Sequence, residues 1–176
     1  HWWISSGATF DKKTKELEQP EKIKPALLAL QKEVKKVLPD LPQTPVEKAD
    51  EKAMQKLKDR GIIVFPVARN SNYLKVNFVT VDSVTNDDIA LLSGIKKQLV
   101  WLNLGYKNLA DSLLVPIGQL TNLTRLQLDK TIVTDKGLVS LQSLTNLQYL
   151  NLVGTKVTAK GVIQLKDLPK LQAVYL

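Results

Sequence analysis

The sequence predicts an α/β fold of the solenoid type: short parallel strands stacked on a concave face, short helices on the opposite face, and an N-terminal helical region with a cap. Three observations predict it. The stretch TIVTDKGLVSLQSL (131–144) returns one 24-residue step later as TKVTAKGVIQLKDL (155–168). At that same step, apolar residues fall into columns: Leu99, Leu123, Leu147 and Leu171; Leu102, Leu126, Leu150 and Val174; Leu104, Leu128, Leu152 and Leu176. The texture also changes near residue 74, where a helical period gives way to alternating leucines.

The elements before the repeats follow from local signals. TFDKKTKELEQ carries a helix-start signal at Asp11, and a second helix is expected from near Pro20. Its face is Ile23, Leu27, Leu30, Val34 and Val37 or Leu38, at three- and four-residue spacing. LPDLPQTP (38–45) holds three prolines and is a semi-rigid connector, so residues 1–44 form a helical segment with a Pro-rich linker. Thr44-Pro45-Val46-Glu47 then has the residues of a capping box, with Val46, Ala49, Ala53 and Leu57 as the apolar stripe behind it. Gly61 stops that helix. IIVFPVA (62–68) is a strand whose Pro66 cannot donate to a ladder, which places it at a sheet edge. Residues 45–73 are thus a capping helix and edge strand, and residues 74–176 are the repeats.

Each repeat reads L-x-x-L-x-L-x-x-T-x-V-T. LQL and LNL are strands whose leucines point inward while the residues between point out. TDKGLVSLQSL supplies the helix, capped by Thr134 or Thr158. One unit cannot bury its own leucines; stacked units bury them all, at about 1.5–3 kcal/mol per side chain. The pattern resembles the leucine-rich repeat family over residues 74–176, most closely over 99–176. It departs from that family at the usual Asn column, where Lys107, Thr131 and Thr155 stand. The resemblance implies that this column satisfies backbone groups in the bend, which a Thr hydroxyl does in part. Gly137 and Gly161 allow either close packing between units or an unusual dihedral angle. Residues 74–98 are a worn first repeat, their register open by one or two positions. LQAVYL stops at a fourth strand without a cap, so the protein continues or this edge pairs with something.

Composition narrows the function. The chain has 176 residues, no Cys and a single His, His1. Thiolate metal sites, Cys nucleophiles and haem attachment are excluded within it, and His-based triads or metal sites have almost no material. The net charge of +8 is spread evenly, with 14 basic against 10 acidic residues before residue 74 and 11 against 7 after it. That spread is the mark of a solvated surface; a nucleic-acid footprint would cluster the basic residues. No run is long and apolar enough to span a membrane, and no signal peptide is visible. The His-Trp-Trp start reads as a piece cut from something larger. Trp2 and Trp3 admit two readings, a membrane interface or packing against the helices that follow. Asp87 and Asp88 suit a helix start by their charge and have no visible pocket for acid–base work.

The outward positions of the strands offer a binding surface. One column is Trp101, Arg125, Tyr149 and Ala173; the next is Asn103, Gln127, Asn151 and Tyr175; a third holds Gly105, Asp129 and Val153. Trp, Tyr and Arg are the residue types that dominate binding hot spots. The same residues also stack across strands as a cation–π ladder that stiffens the sheet. The expectation is a non-catalytic module that binds a protein or glycan partner, with no cofactor, no metal, no nucleic acid, and membrane contact only through upstream sequence. The alternative is a structural spacer that assembles end to end through its C-terminal edge. The whole chain is similar to the C-terminal part of bacterial envelope proteins in which membrane helices and a c-type cytochrome domain precede a leucine-rich tail. That resemblance rests on residues 1–45 and implies a periplasmic or cell-envelope location.

Overall fold

The computed structural model describes residues 41–42 and 44–176. The expected helices before Leu38, half of the Pro-rich linker, and Trp2 and Trp3 lie outside the described residues.

The described residues form a mixed α/β fold around one six-stranded sheet. The chain runs α1 (Glu51–Asp59), β1 (Ile63–Pro66), β2 (Leu74–Asn77), α2 (Asn86–Leu91), β3 (Leu99–Asn103), α3 (Leu114–Ile117), β4 (Arg125–Gln127), α4 (Asp135–Leu138), β5 (Tyr149–Asn151), α5 (Ala159–Ile163) and β6 (Ala173–Tyr175). The strands lie side by side in chain order. β1 runs antiparallel to β2, and every later pair is parallel. Pro66 therefore closes a strand at the sheet edge, as its missing N–H requires.

The register carries the sequence period into space. Leu102 pairs with Leu126, Leu126 with Leu150, and Leu150 with Val174, each one 24-residue step apart. Leu102, Leu126 and Leu150 are fully buried in one core cluster with Leu99, Leu104, Leu123, Leu128, Leu147 and Leu152. β2 joins by a longer step: Lys75 pairs with Trp101 and Asn77 with Asn103, 26 residues on, after an irregularity between Leu74 and Lys75.

α1 starts later than its sequence suggests. The N-cap is Asp50, whose carboxylate accepts from Ala53 N at 2.9 Å. Thr44 lies outside the helix, and its carbonyl accepts from the Tyr73 hydroxyl at 2.8 Å. Side chains from elsewhere hold the intervening segment: Asn72 donates to Val46 O at 2.8 Å and Gln98 to Glu47 O at 3.0 Å. With those carbonyls taken by distant amides, the helix begins at the next good cap. Gly61, at φ +82°, ends it in the left-handed conformation expected of a stop. Asp88 is buried and completes a capping box with Thr85 at the start of α2. The Arg60 guanidinium grips it in two bonds of 2.6 and 3.2 Å. Burial pushes the Asp88 carboxyl up, but Arg60 and the Thr85 donors outweigh burial and hold it below the usual carboxylate value.

The bends and helix starts after the strands are built from side-chain bonds. Thr131 is buried and donates to Leu128 O at 2.7 Å; half-buried Thr155 repeats this with Leu152 O at 2.7 Å. Lys107, in the same column, sends its ammonium instead to Val79 O and Val81 O of the preceding unit. Thr134 and Thr158 cap α4 and α5. Gly137 and Gly161 are helical residues of ordinary φ, which leaves close approach as their reason. A Cβ on Gly137 would lie 2.5 Å from Asp111 Oδ1, and one on Gly161 would collide with Asp135 Oδ1. Those carboxylates are docked on the next helix start. Asp111 accepts from Thr134 N at 2.8 Å and Thr134 Oγ1 at 2.6 Å; Asp135 accepts from Thr158 N and Oγ1, both at 2.7 Å.

Candidate functional site

The outward side of the sheet holds a cavity of about 690 Å³ that reaches every strand from β1 to β6. The period-two alternation of each strand puts its odd residues here while the leucines go to the core. Seven of the eight residues expected from sequence line this cavity: Trp101, Asn103, Arg125, Gln127, Tyr149, Asn151 and Tyr175. Asp129 does not. It lies two residues past the end of β4, its carboxylate set against Gly105, where a Cβ would come within 2.6 Å of Oδ1.

The first column is a ladder of alternating rings and cations. Trp101, Arg125 and Tyr149 are register partners on β3, β4 and β5. The Arg125 guanidinium carbon sits 4.9 Å from the Trp101 ring centre and 4.5 Å from that of Tyr149, held between the two. The ladder extends in a direction the sequence did not reveal. Lys75 on β2 is the register partner of Trp101, and Phe65 on β1 is the partner of Lys75. The Lys75 ammonium lies 5.8 Å from the Phe65 ring centre. The order across the sheet is therefore Phe65, Lys75, Trp101, Arg125, Tyr149. A signal for Lys75 exists in the sequence: KVN (75–77) has the form of WLN, RLQ and YLN. The 26-residue step hid it.

The second column has a local task as well. Asn77, Asn103 and Asn151 each use the side-chain oxygen to accept the backbone N–H two residues on, from Val79 at 2.8 Å, Gly105 at 2.9 Å and Val153 at 3.1 Å. These Asx turns end the strands. What the column offers a ligand is consequently the amide N–H side, together with exposed Gln127 and Tyr175.

The electrostatics of the cavity are one-sided. Among the described residues that line it, Lys75 and Arg125 are charged and none is a carboxylate. The Trp101 indole N–H is buried and has no hydrogen-bond partner among the described residues. Beyond the strand ends, Tyr106 and Lys130 take the left-handed conformation at φ 61° and 53°, in line with Gly154 at φ 70°, and Lys130 lies 4.8 Å from the exposed Tyr106 ring.

Among the described residues, no cluster of three or more metal-ligating side chains is present, and no helix is long and apolar enough to cross a membrane. No protein-family model and no curated protein matches this sequence.

Proposed function

We propose that residues 74–176 are a leucine-rich repeat solenoid, capped by residues 45–73, that works as a non-catalytic binding module for a protein or glycan on its concave face. The observation that carries this reading is the column Trp101–Arg125–Tyr149, in register across three adjacent strands and opening onto the 690 Å³ cavity. Support for the solenoid comes from the unbroken 24-residue register of Leu102, Leu126, Leu150 and Val174. Hot-spot residue types, pre-ordered by mutual stacking, bind at low entropic cost. The proposed location is the periplasm or cell envelope, on the strength of the whole-chain resemblance alone.

The test is a screen of the full chain against peptide and glycan arrays, repeated with Trp101, Arg125 and Tyr149 all changed to Ala. Hits that disappear in the triple variant place the site on this column. Hits that survive with unchanged affinity remove it.

A second reading is a spacer that assembles end to end through its C-terminal edge. Light scattering over a concentration series separates the two readings, because assembly through this edge raises the apparent mass and simple binding does not.

A further inference from the structure

One end of the strand face differs from the rest in how its cation is held. On β1 the period-two alternation buries Val64 in the core, while Ile63 and Phe65 line the cavity, with Phe65 54% exposed. Lys75 on β2 is the register partner of Phe65 and lines the same cavity. It is exposed, and its ammonium lies 5.8 Å from the Phe65 ring centre, near the outer limit of about 6 Å for a cation–π contact. Among the described residues that ring is the one partner its ammonium has, and no carboxylate lines the cavity. Other cations on this side are held closer. Arg125 lies between two rings at 4.9 and 4.5 Å, and Lys130 lies 4.8 Å from Tyr106. Lys75 thus keeps an unneutralised charge beside two apolar side chains.

That pairing selects a ligand that is apolar and anionic at neighbouring atoms. An uncharged apolar group would cover the ammonium and leave it unpaired, which costs free energy. A sugar would bring hydroxyl groups to Ile63 and Phe65. In an extended chain an internal Asp or Glu points to the side opposite its neighbours. The last residue of a chain carries its carboxylate and its side chain on one Cα, so both reach the same spot. Beyond Trp101 the cavity continues across the strands, lined by the amide side chains of Asn103, Gln127 and Asn151. Amides exchange hydrogen bonds with a peptide backbone and have none to exchange with an alkyl chain. A fatty acid, which has the same two groups, is the poorer fit.

We propose that the β1–β2 end of the groove takes the C-terminal residue of a partner polypeptide, one with an apolar side chain. Its carboxylate is set on the Lys75 ammonium, its side chain lies against Ile63 and Phe65, and the residues before it run across the sheet past Trp101. The proposal rests on the strand-face binding reading above and gives it a ligand class. It also gives the edge strand a share in binding. The carboxylate bond is charge-assisted, and salt weakens it because Lys75 is exposed.

The experiment is an NMR titration of the full chain, following amide and indole N–H signals as acetylated Gly-Ser-Gly-Ser-Leu is added. The same peptide with a C-terminal amide removes the charge. A terminal Ser in place of Leu removes the apolar group, and decanoate supplies both groups on an alkyl chain. Expected are shifts centred on residues 63–65 and 75–77, which pair across the two strands, and on the Trp101 indole. The free acid should bind at least about tenfold more tightly than the amide, and more tightly than the Ser-ended peptide. In Lys75→Gln the preference for the acid disappears; in Phe65→Ser the preference for Leu does. Both residues are exposed, so both variants keep the fold, and circular dichroism verifies that. Equal binding of acid and amide, a preference for the acid that survives in Lys75→Gln, or shifts centred elsewhere overturns the proposal. Tighter binding of decanoate than of the peptide assigns the subsite to an alkyl carboxylate and overturns the polypeptide. If no peptide shifts any signal while array hits still vanish in the triple variant, this proposal falls and the strand-face reading stands. If those hits survive as well, both fall.

Discussion

The strand face and the helix face of this molecule obey the same 24-residue step and use it for opposite ends. On the helix side, aligned polar groups close on one another. Asp111 is seated on Thr134, Asp135 on Thr158, Asn146 donates to Thr121 O at 2.9 Å, and Ser143 to Gly118 O at 2.6 Å. Glycines make room for these contacts. On the strand side, aligned groups stack. Trp101, Arg125 and Tyr149 touch through ring faces, and the Trp101 indole N–H is left without a partner among the described residues. Alignment alone is therefore no sign of a site. A column whose hydrogen bonds are spent within the fold holds the units together; a column of hot-spot residue types that opens onto a cavity is where a ligand has something to gain.

The sharpest way to break that contrast is on the helix side at Gly118. A Cβ there would run into the Ser140 carbonyl oxygen of the next unit, which is backbone and has little freedom to move. Gly118→Ala should lower stability by about 3 kcal/mol, the upper end for overpacking, read as a shift in the urea midpoint. A variant as stable as the parent would mean that the helix side is loosely packed and the contrast is false.

A smaller effect follows at Gly137, and it is conditional. Gly137→Ala should cost about 1–3 kcal/mol, since the new Cβ meets the Asp111 carboxylate. Asp111→Ala alone should cost about 1–2 kcal/mol for the two bonds to Thr134. In the Asp111→Ala background the carboxylate is gone and the end of the Leu114 side chain, 2.8 Å from the new Cβ, is what must still shift, while the helix preference for Ala over Gly, up to about 1 kcal/mol, acts in favour of Gly137→Ala. The double-mutant cycle should thus be strongly non-additive. Additive costs would show that Gly137 is required for a reason other than the docked carboxylate.

Acid should loosen the same docking. Hydrogen bonds from Thr158 backbone and hydroxyl, then from Gly161 backbone, hold the Asp135 carboxyl below its usual value, with Lys160 adding to the pull. A depressed folded-state pKa means that the stabilisation is complete above the unfolded value, about 3.9, and is lost as pH falls through the folded one. Thermal melts from about pH 5 downward should show a steeper decline for the parent than for Asp135→Asn. Parallel declines would place the acid sensitivity elsewhere, with Asp88 and its Arg60 partner next in line.

The two faces were unequally legible in the sequence. Leu102, Leu126 and Leu150 announce themselves because every unit must fill the same core position, and the strand-face column follows from them by alternation. The helix-side docking is hidden because its parts recur only in pairs: Asp111 and Asp135 align, but the next residue in line is Ala159. The left-handed residues were hidden for a like reason, since only Gly154 among Tyr106, Lys130 and Gly154 is the residue type that conformation selects. Lys75 is hidden because two extra residues in one connection displace the register, and Phe65 because it stands on the antiparallel edge strand, outside the repeat. The start of α1 was misread because its competitor cap at Thr44 lost to bonds from Asn72 and Gln98, which no local pattern contains. Local and periodic information survives in one sequence; bonds between distant side chains do not.

The smallest stability effect belongs to the strand face, and it bears most on function. Arg125→Met keeps much of the side chain's length and its contact with both rings while removing the charge. A cation over a half-exposed ring contributes about 0.5–1 kcal/mol, and part of each contact survives as dispersion. The urea midpoint should therefore fall by about 1 kcal/mol or less with the slope unchanged. Binding of a ligand found on the arrays, by contrast, should fall by at least about tenfold, because the charged centre of the stacked column is gone. Stability and binding would then separate at this residue. A loss near that expected for Gly118→Ala would put Arg125 among the structural bonds of the fold, and the strand face would have nothing in reserve.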